Sequence, residues 1–146
     1  MSDGYWRLVE PVWESINIYE GPATFLTTLA DAPVTSGLLF AAHWCYSEVC
    51  NGGLSQFFAN STGVLAPEAI RGFRAIRQPA VAAILEKAVE RFGPIYPRER
   101  DDRQLKLLEL GKGAFDSLDA EFYETVESEA GGFEFAADVY ANEARR

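Results

Sequence analysis

Asn51, Gln56 and Asn60 are polar and stand close to a pair of glycines, Gly52 and Gly53, an arrangement that invites an active-site or ligand-binding reading. A phosphate-cradling loop is a poor fit, because no Lys-Ser or Lys-Thr follows the glycines and no strand pattern precedes them. The single histidine, His43, precedes Cys50 by seven residues. On a helix that spacing is ~10.5 Å of rise, far beyond the contact a nucleophile and its base require. Glu86 and Glu90 are interleaved with Lys87 and Arg91, as on a solvated helix face, and no Glu-x-x-His pair supports a di-iron site. Two cysteines and one histidine are too few for a four-ligand structural zinc site. The expectation is no catalytic residue, no metal and no cofactor.

The structural reading of the same amides is stronger. Glu48 closes an apolar, helix-like run that breaks at Asn51-Gly52-Gly53, restarts with Gln56, Phe57 and Phe58, and stops again at Asn60-Ser61-Thr62-Gly63. Asn and Gly end helices at low steric cost. Where two helices stop and start, amide side chains satisfy backbone groups left open. The pattern predicts helix, double-glycine corner, short helix, second corner.

The elements around this corner read as helical throughout. Trp6, Val9, Trp13 and Ile16 follow the spacing of one buried helix face, and Gly21-Pro22 ends that helix and opens a short second one through Leu29. Pro33 opens a long third helix to Cys50 that is apolar nearly all round, as a central bundle helix would be. A fourth starts at Ala66-Pro67-Glu68, with Ile70, Phe73 and Ile76 inward and Arg71, Arg74 and Arg77 outward. A fifth runs from Ala80 to Phe92. Residues 98–103 read as a solvated segment or a helix start, and Leu105, Leu108 and Leu110 as a short apolar helix face. Asp119 is expected to cap a helix that turns Phe122, Tyr123 and Val126 inward and ends at Gly131-Gly132. Phe133 to Ala144 forms the last helix. The prediction is a single all-α domain over residues 1–146 with about seven or eight helices, a size at which about 68–70% of the chain's surface can be buried.

Glu48, Asn51, Gly52, Gly53, Gln56, Phe57, Phe58, Asn60, Ser61 and Gly63 together resemble the signature of a bacterial DNA-mimic protein family, first described as a domain of unknown function. Leu54 stands where an aromatic is more usual and Thr62 where Ser is common. Leu118-Asp119-x-x-Phe122-Tyr123 matches as well, so the resemblance covers roughly Tyr5 to Tyr140. It implies a compact all-helical domain whose acidic surface occupies the DNA-binding face of a regulator, an activity of few members. The acids that mimic DNA lie outside the signature, so no individual carboxylate carries over.

Charge is the independent pointer to that activity. The chain of 146 residues has a net charge of −9, and its parts differ. Residues 1–70 hold one Arg against seven acids; residues 71–112 hold ten Lys and Arg against six acids. Residues 113–146 hold nine acids and, for cations, only Arg145 and Arg146. Acids three or four apart on a helix sit ~5–6 Å from one another, close to the charge spacing along a DNA backbone. Asp116, Asp119, Glu121, Glu124, Glu127, Glu129, Glu134 and Asp138 are therefore the expected partner-binding surface. The rival explanations are a solvated face and, for Asp116, Asp119 and Glu121, stabilisation of a helix N-terminus. The Arg71, Arg74, Arg77 row is expected to be a counter-charge to the acidic third rather than a phosphate contact.

No run reaches the ~18 apolar residues of a membrane span, and the start of the chain lacks a secretory pattern, so a cytoplasmic location is expected. Cys45 and Cys50, at least ~7.5 Å apart along one helix, are expected to be buried, reduced thiols. The leading functional expectation is a non-enzymatic acidic interaction protein, dimeric, that binds a basic regulator and neither nucleic acid nor membrane. An immunity- or antitoxin-like protein that neutralises a basic toxin is the alternative, and an enzyme or ligand binder at Asn51 and Gln56 the third reading.

Overall fold

The structure, a computed structural model, describes residues 4–144; the first three residues, with the start of the chain read above, and Arg145 and Arg146 lie outside it. Eight α-helices and three short 3-10 turns make up the regular structure of the described residues, and none is a strand. The helices are α1 (Trp6–Val9), α2 (Pro22–Ala30), α3 (Val34–Ala59), α4 (Ala66–Ala75), α5 (Pro79–Glu90), α6 (Arg100–Leu110), α7 (Asp116–Val126) and α8 (Phe133–Ala144). No helix among the described residues is long and apolar enough to cross a membrane.

α3 is the axis of the fold because its sequence leaves it no polar face. Leu39, Phe40, Ala41, Ala42, Cys45 and Val49 are fully buried, and α1, α4, α6, α7 and α8 all pack against it. Phe57 and Phe58 continue the same core beyond the corner, where Phe58 meets Phe92 at 4.8 Å and Phe115 at 5.4 Å between ring centres. Each such Phe contributes on the order of 1.5–3 kcal/mol by leaving water.

Several expectations shift. The first helix is shorter than its apolar spacing suggests: α1 stops at Val9, and a 3-10 turn over Glu10–Val12 carries Pro11, which has no N–H to continue an α-helix. Residues 98–103 do begin a helix, with Glu99, Arg100, Asp101 and Asp102 exposed as expected, but Arg103 is 1% exposed. Arg103 takes the inward face of α6, and Leu105 and Leu108 are left 60% and 80% exposed. α7 ends at Val126, before Gly131-Gly132, and Tyr123 is 41% exposed while Phe122 and Val126 are buried as expected.

Of the two free thiols, Cys45 is buried, whereas Cys50 is exposed beside the break in α3. Burial raises the pKa of both, so neither is an activated thiolate. Alkylation of the native protein under mild conditions should therefore modify Cys50 and spare Cys45, read as one added label by mass spectrometry. Two labels would contradict the placement of Cys45.

Candidate functional site

The polar corner is built by the interruption of α3. Gly52 and Gly53 leave helical geometry, and Gly53 takes φ 84° with ψ 175°, a backbone region open essentially to glycine alone. The break exposes the N–H groups of the restarting turn, and one of them is met from another helix: Leu54 N–H donates to Asp119 Oδ1 of α7 at 2.8 Å. Asp119 thus caps the second half of α3, while its own helix starts three residues earlier at Asp116. Burial raises the pKa of its carboxyl, and the Leu54 N–H opposes that shift.

The signature side chains face one another across this corner. The Glu48 carboxylate accepts from Gln56 Nε2 at 2.6 Å, Thr62 Oγ1 at 2.9 Å and Asn60 Nδ2 at 3.2 Å. Asn51 Nδ2 in turn reaches Gln56 Oε1 at 3.4 Å. A carboxylate and its amide neighbours are thereby consumed in joining the two halves of α3 to the second corner. His43 is equally occupied: its Nδ1 shares a 2.8 Å hydrogen bond with the Tyr5 hydroxyl, and Trp6 and Trp13 flank its ring. Burial lowers its pKa.

The second corner holds the residue that sequence reasoning missed. Arg103 donates to four backbone carbonyls: Phe58 and Asn60 at the end of α3, and Pro97 and Arg98 before α6. Arg100 Nε and Gln104 Nε2 both donate to Ala59 O. A helix C-terminus leaves its last carbonyls open and carries partial negative charge, so α6 caps α3 with cations. Gly63 is what lets Arg103 in: a Cβ there would lie 2.6 Å from Arg103 Nε and 2.9 Å from two carbonyl oxygens. Beside it, the buried Glu68 pairs with both Nη atoms of Arg98 at 2.8 and 3.0 Å. One Arg of three in a run of six charged residues gives no sequence signal of burial.

The acidic third divides into two groups. Asp119, Glu129 and Asp138 are turned to backbone N–H groups. Glu129 accepts from Ala80 and Val81 at the start of α5 (2.9–3.1 Å), and Asp138 Oδ1 accepts from Tyr5 N–H at 2.7 Å. Gln78, fully buried, donates from Nε2 to the carbonyls of Val126 and Glu129, so the C-terminal end of α7 is latched to the α4–α5 turn. The other five, Asp116, Glu121, Glu124, Glu127 and Glu134, are exposed. None of them pairs with a cation among the described residues, and Glu127 accepts from the Tyr46 hydroxyl at 3.0 Å.

The Arg row is spoken for by acids of the same chain. Arg71 meets Glu68, Arg74 meets Glu86 and Arg77 meets Glu143, and among the described residues only the last of these pairs reaches the acidic third.

No curated protein and no solved structure matches this chain. Residues 32–142, which span the corner, Arg103 and both acidic helices, match the model of a protein family described as DMP19-like protein.

Proposed function

Because the chain belongs to the DMP19-like family, a family of DNA-mimic proteins, we propose that it is a non-enzymatic acidic protein that occupies the nucleic-acid-binding surface of a basic regulator. The observation that carries this reading is the set of five outward, cation-free carboxylates on a segment without a single Lys or Arg from Gly113 to Ala144. Its mechanism is exclusion: carboxylates take the place of phosphates against the Arg and Lys of the partner, and the shared negative field speeds encounter. α7 is held at both ends, by Asp119 on Leu54 and by the Gln78–Glu129 latch, so the charges are presented on a rigid frame. A dimer, in which two copies extend the acidic surface, belongs to the same proposal and is read by sedimentation of the purified protein.

The variant that tests it changes Glu121, Glu124 and Glu127 to Gln. Glu129 is left intact because its carboxylate caps α5, and its loss would confuse stability with binding. Surface substitutions of this kind alter stability by about 0.5 kcal/mol or less, so melting should be unchanged. Affinity for the basic protein captured from the native host should fall by about tenfold or more, chiefly through a slower on-rate. Wild-type affinity should weaken steeply as salt shortens the screening length to ~10 Å at 0.1 M. Equal affinity of the Gln variant and the wild type would remove the acidic surface from the interface.

A further inference from the structure

A second charged feature has the opposite sign. A cleft of about 140 Å³ opens between the N-terminal end of α2 and the start of α6, with Gly21, Ser61, Arg98, Glu99, Arg100 and Arg103 in its walls. Three guanidinium groups converge there in a chain whose net charge is −9. Their charges are unequally balanced. Arg98 is neutralised by the buried Glu68 in a two-point pair. Arg103, 1% exposed, has four backbone carbonyls around it and makes no direct ion pair among the described residues, and the exposed Glu99 acts on it only at longer range. Carbonyl dipoles satisfy its N–H groups yet leave its unit charge in a poorly solvated place, which is costly without a counter-ion. Arg100 commits only Nε, to Ala59 O, so both of its Nη groups carry no protein partner among the described residues. The Ser61 hydroxyl likewise has no protein hydrogen bond among them.

We infer that this cleft binds a small oxyanion, of the phosphate or carboxylate class, which lies against Arg100 and Ser61 and adds to the negative charge that faces Arg103. A guanidinium fork offers parallel N–H donors that suit a planar carboxylate or one face of a phosphate. At about 140 Å³ the cleft has room for one such group. The site is independent of the acidic surface on α7 and α8, and it stands whether or not that surface mimics DNA.

The test is a thermal-melting and calorimetric titration of the full chain with inorganic phosphate, acetate and chloride at matched ionic strength. A site that binds the native state raises the melting temperature in a saturable way. Phosphate or acetate, but not chloride, should do so, and the more effective of the two identifies the class. Arg100→Gln, which touches the anion through an otherwise exposed side chain, should weaken that oxyanion's binding about tenfold or more. Arg74→Gln, on a remote surface pair, should leave it unchanged. Should the Arg100 variant fail to fold, Ser61→Ala should reproduce the weakening on a smaller scale. The inference is overturned by the absence of a saturable shift with both oxyanions, by wild-type binding in the cleft variant that folds, or by equal weakening in Arg74→Gln.

Discussion

Replacing Arg103 by Met should lower the melting temperature of this protein by about 10 °C or more. Met fills much of the same volume and is at home in a core, so the change isolates the guanidinium. Four buried or half-buried carbonyls, of Phe58, Asn60, Pro97 and Arg98, then lose a donor at once, and Asn60 O keeps another, the Gly63 N–H at 3.0 Å. A buried polar group left unsatisfied costs about 1–3 kcal/mol. Water entering from the neighbouring cleft relieves part of that, and a net loss of at least about 3 kcal/mol is expected. For a chain of this size that is a fall in melting temperature on the order of 10 °C. Lys should not rescue it, because a single ammonium cannot reach carbonyls spread around a planar fork. A melting temperature within a degree or two of wild type would show that Arg103 is not the cap of α3.

Gly53→Val should have an effect of the same order. At φ 84° and ψ 175° the backbone is in a region that β-branched residues all but never enter, worth about 1–3 kcal/mol of strain. A Cβ would also stand 2.9 Å from Asp119 Oδ2, pushing that carboxylate off the Leu54 N–H and losing roughly another 1 kcal/mol. A drop on the order of 5–15 °C is expected from these terms together. An unchanged melting temperature would refute the packing role of the corner and favour a ligand-binding one.

These two residues mark the limits of what the sequence discloses. The corner is legible because its cause is local: Asn and Gly are the residues that stop a helix, and two adjacent Phe require burial on restarting. The central place of α3 is legible for the same reason, as no face of it is polar. What contacts at long range decide is not legible. Arg103 stands 45 residues from Phe58, the carbonyl it caps, and nothing in its neighbours distinguishes it from the exposed Asp101 and Asp102. Its burial also turns α6, so Leu105 and Leu108, apolar by type, face outward. Pro11 is a local signal with a local result, and it ends α1 against the apolar spacing that runs on to Ile16.

The acidic helix shows a mixed case. Its lack of cations is visible in the sequence, and so is the match of Asp119 to the family pattern. Which carboxylates remain free for a partner is not. Asp119, Glu129 and Asp138 accept hydrogen bonds from N–H groups 65, 48–49 and 133 residues away, distances over which no periodicity reports. An acid that caps a helix and an acid that faces solvent have the same letter and the same neighbours.

Under the mimicry proposed above, the outward carboxylates stand in for phosphates. This is tested most directly by competition on the captured basic partner, preloaded with a fluorescent duplex that it binds specifically. Added protein should displace the duplex completely, with free DNA emerging and no direct association between the protein and DNA. A stable ternary complex of partner, duplex and protein, or binding of DNA by the protein itself, would contradict it.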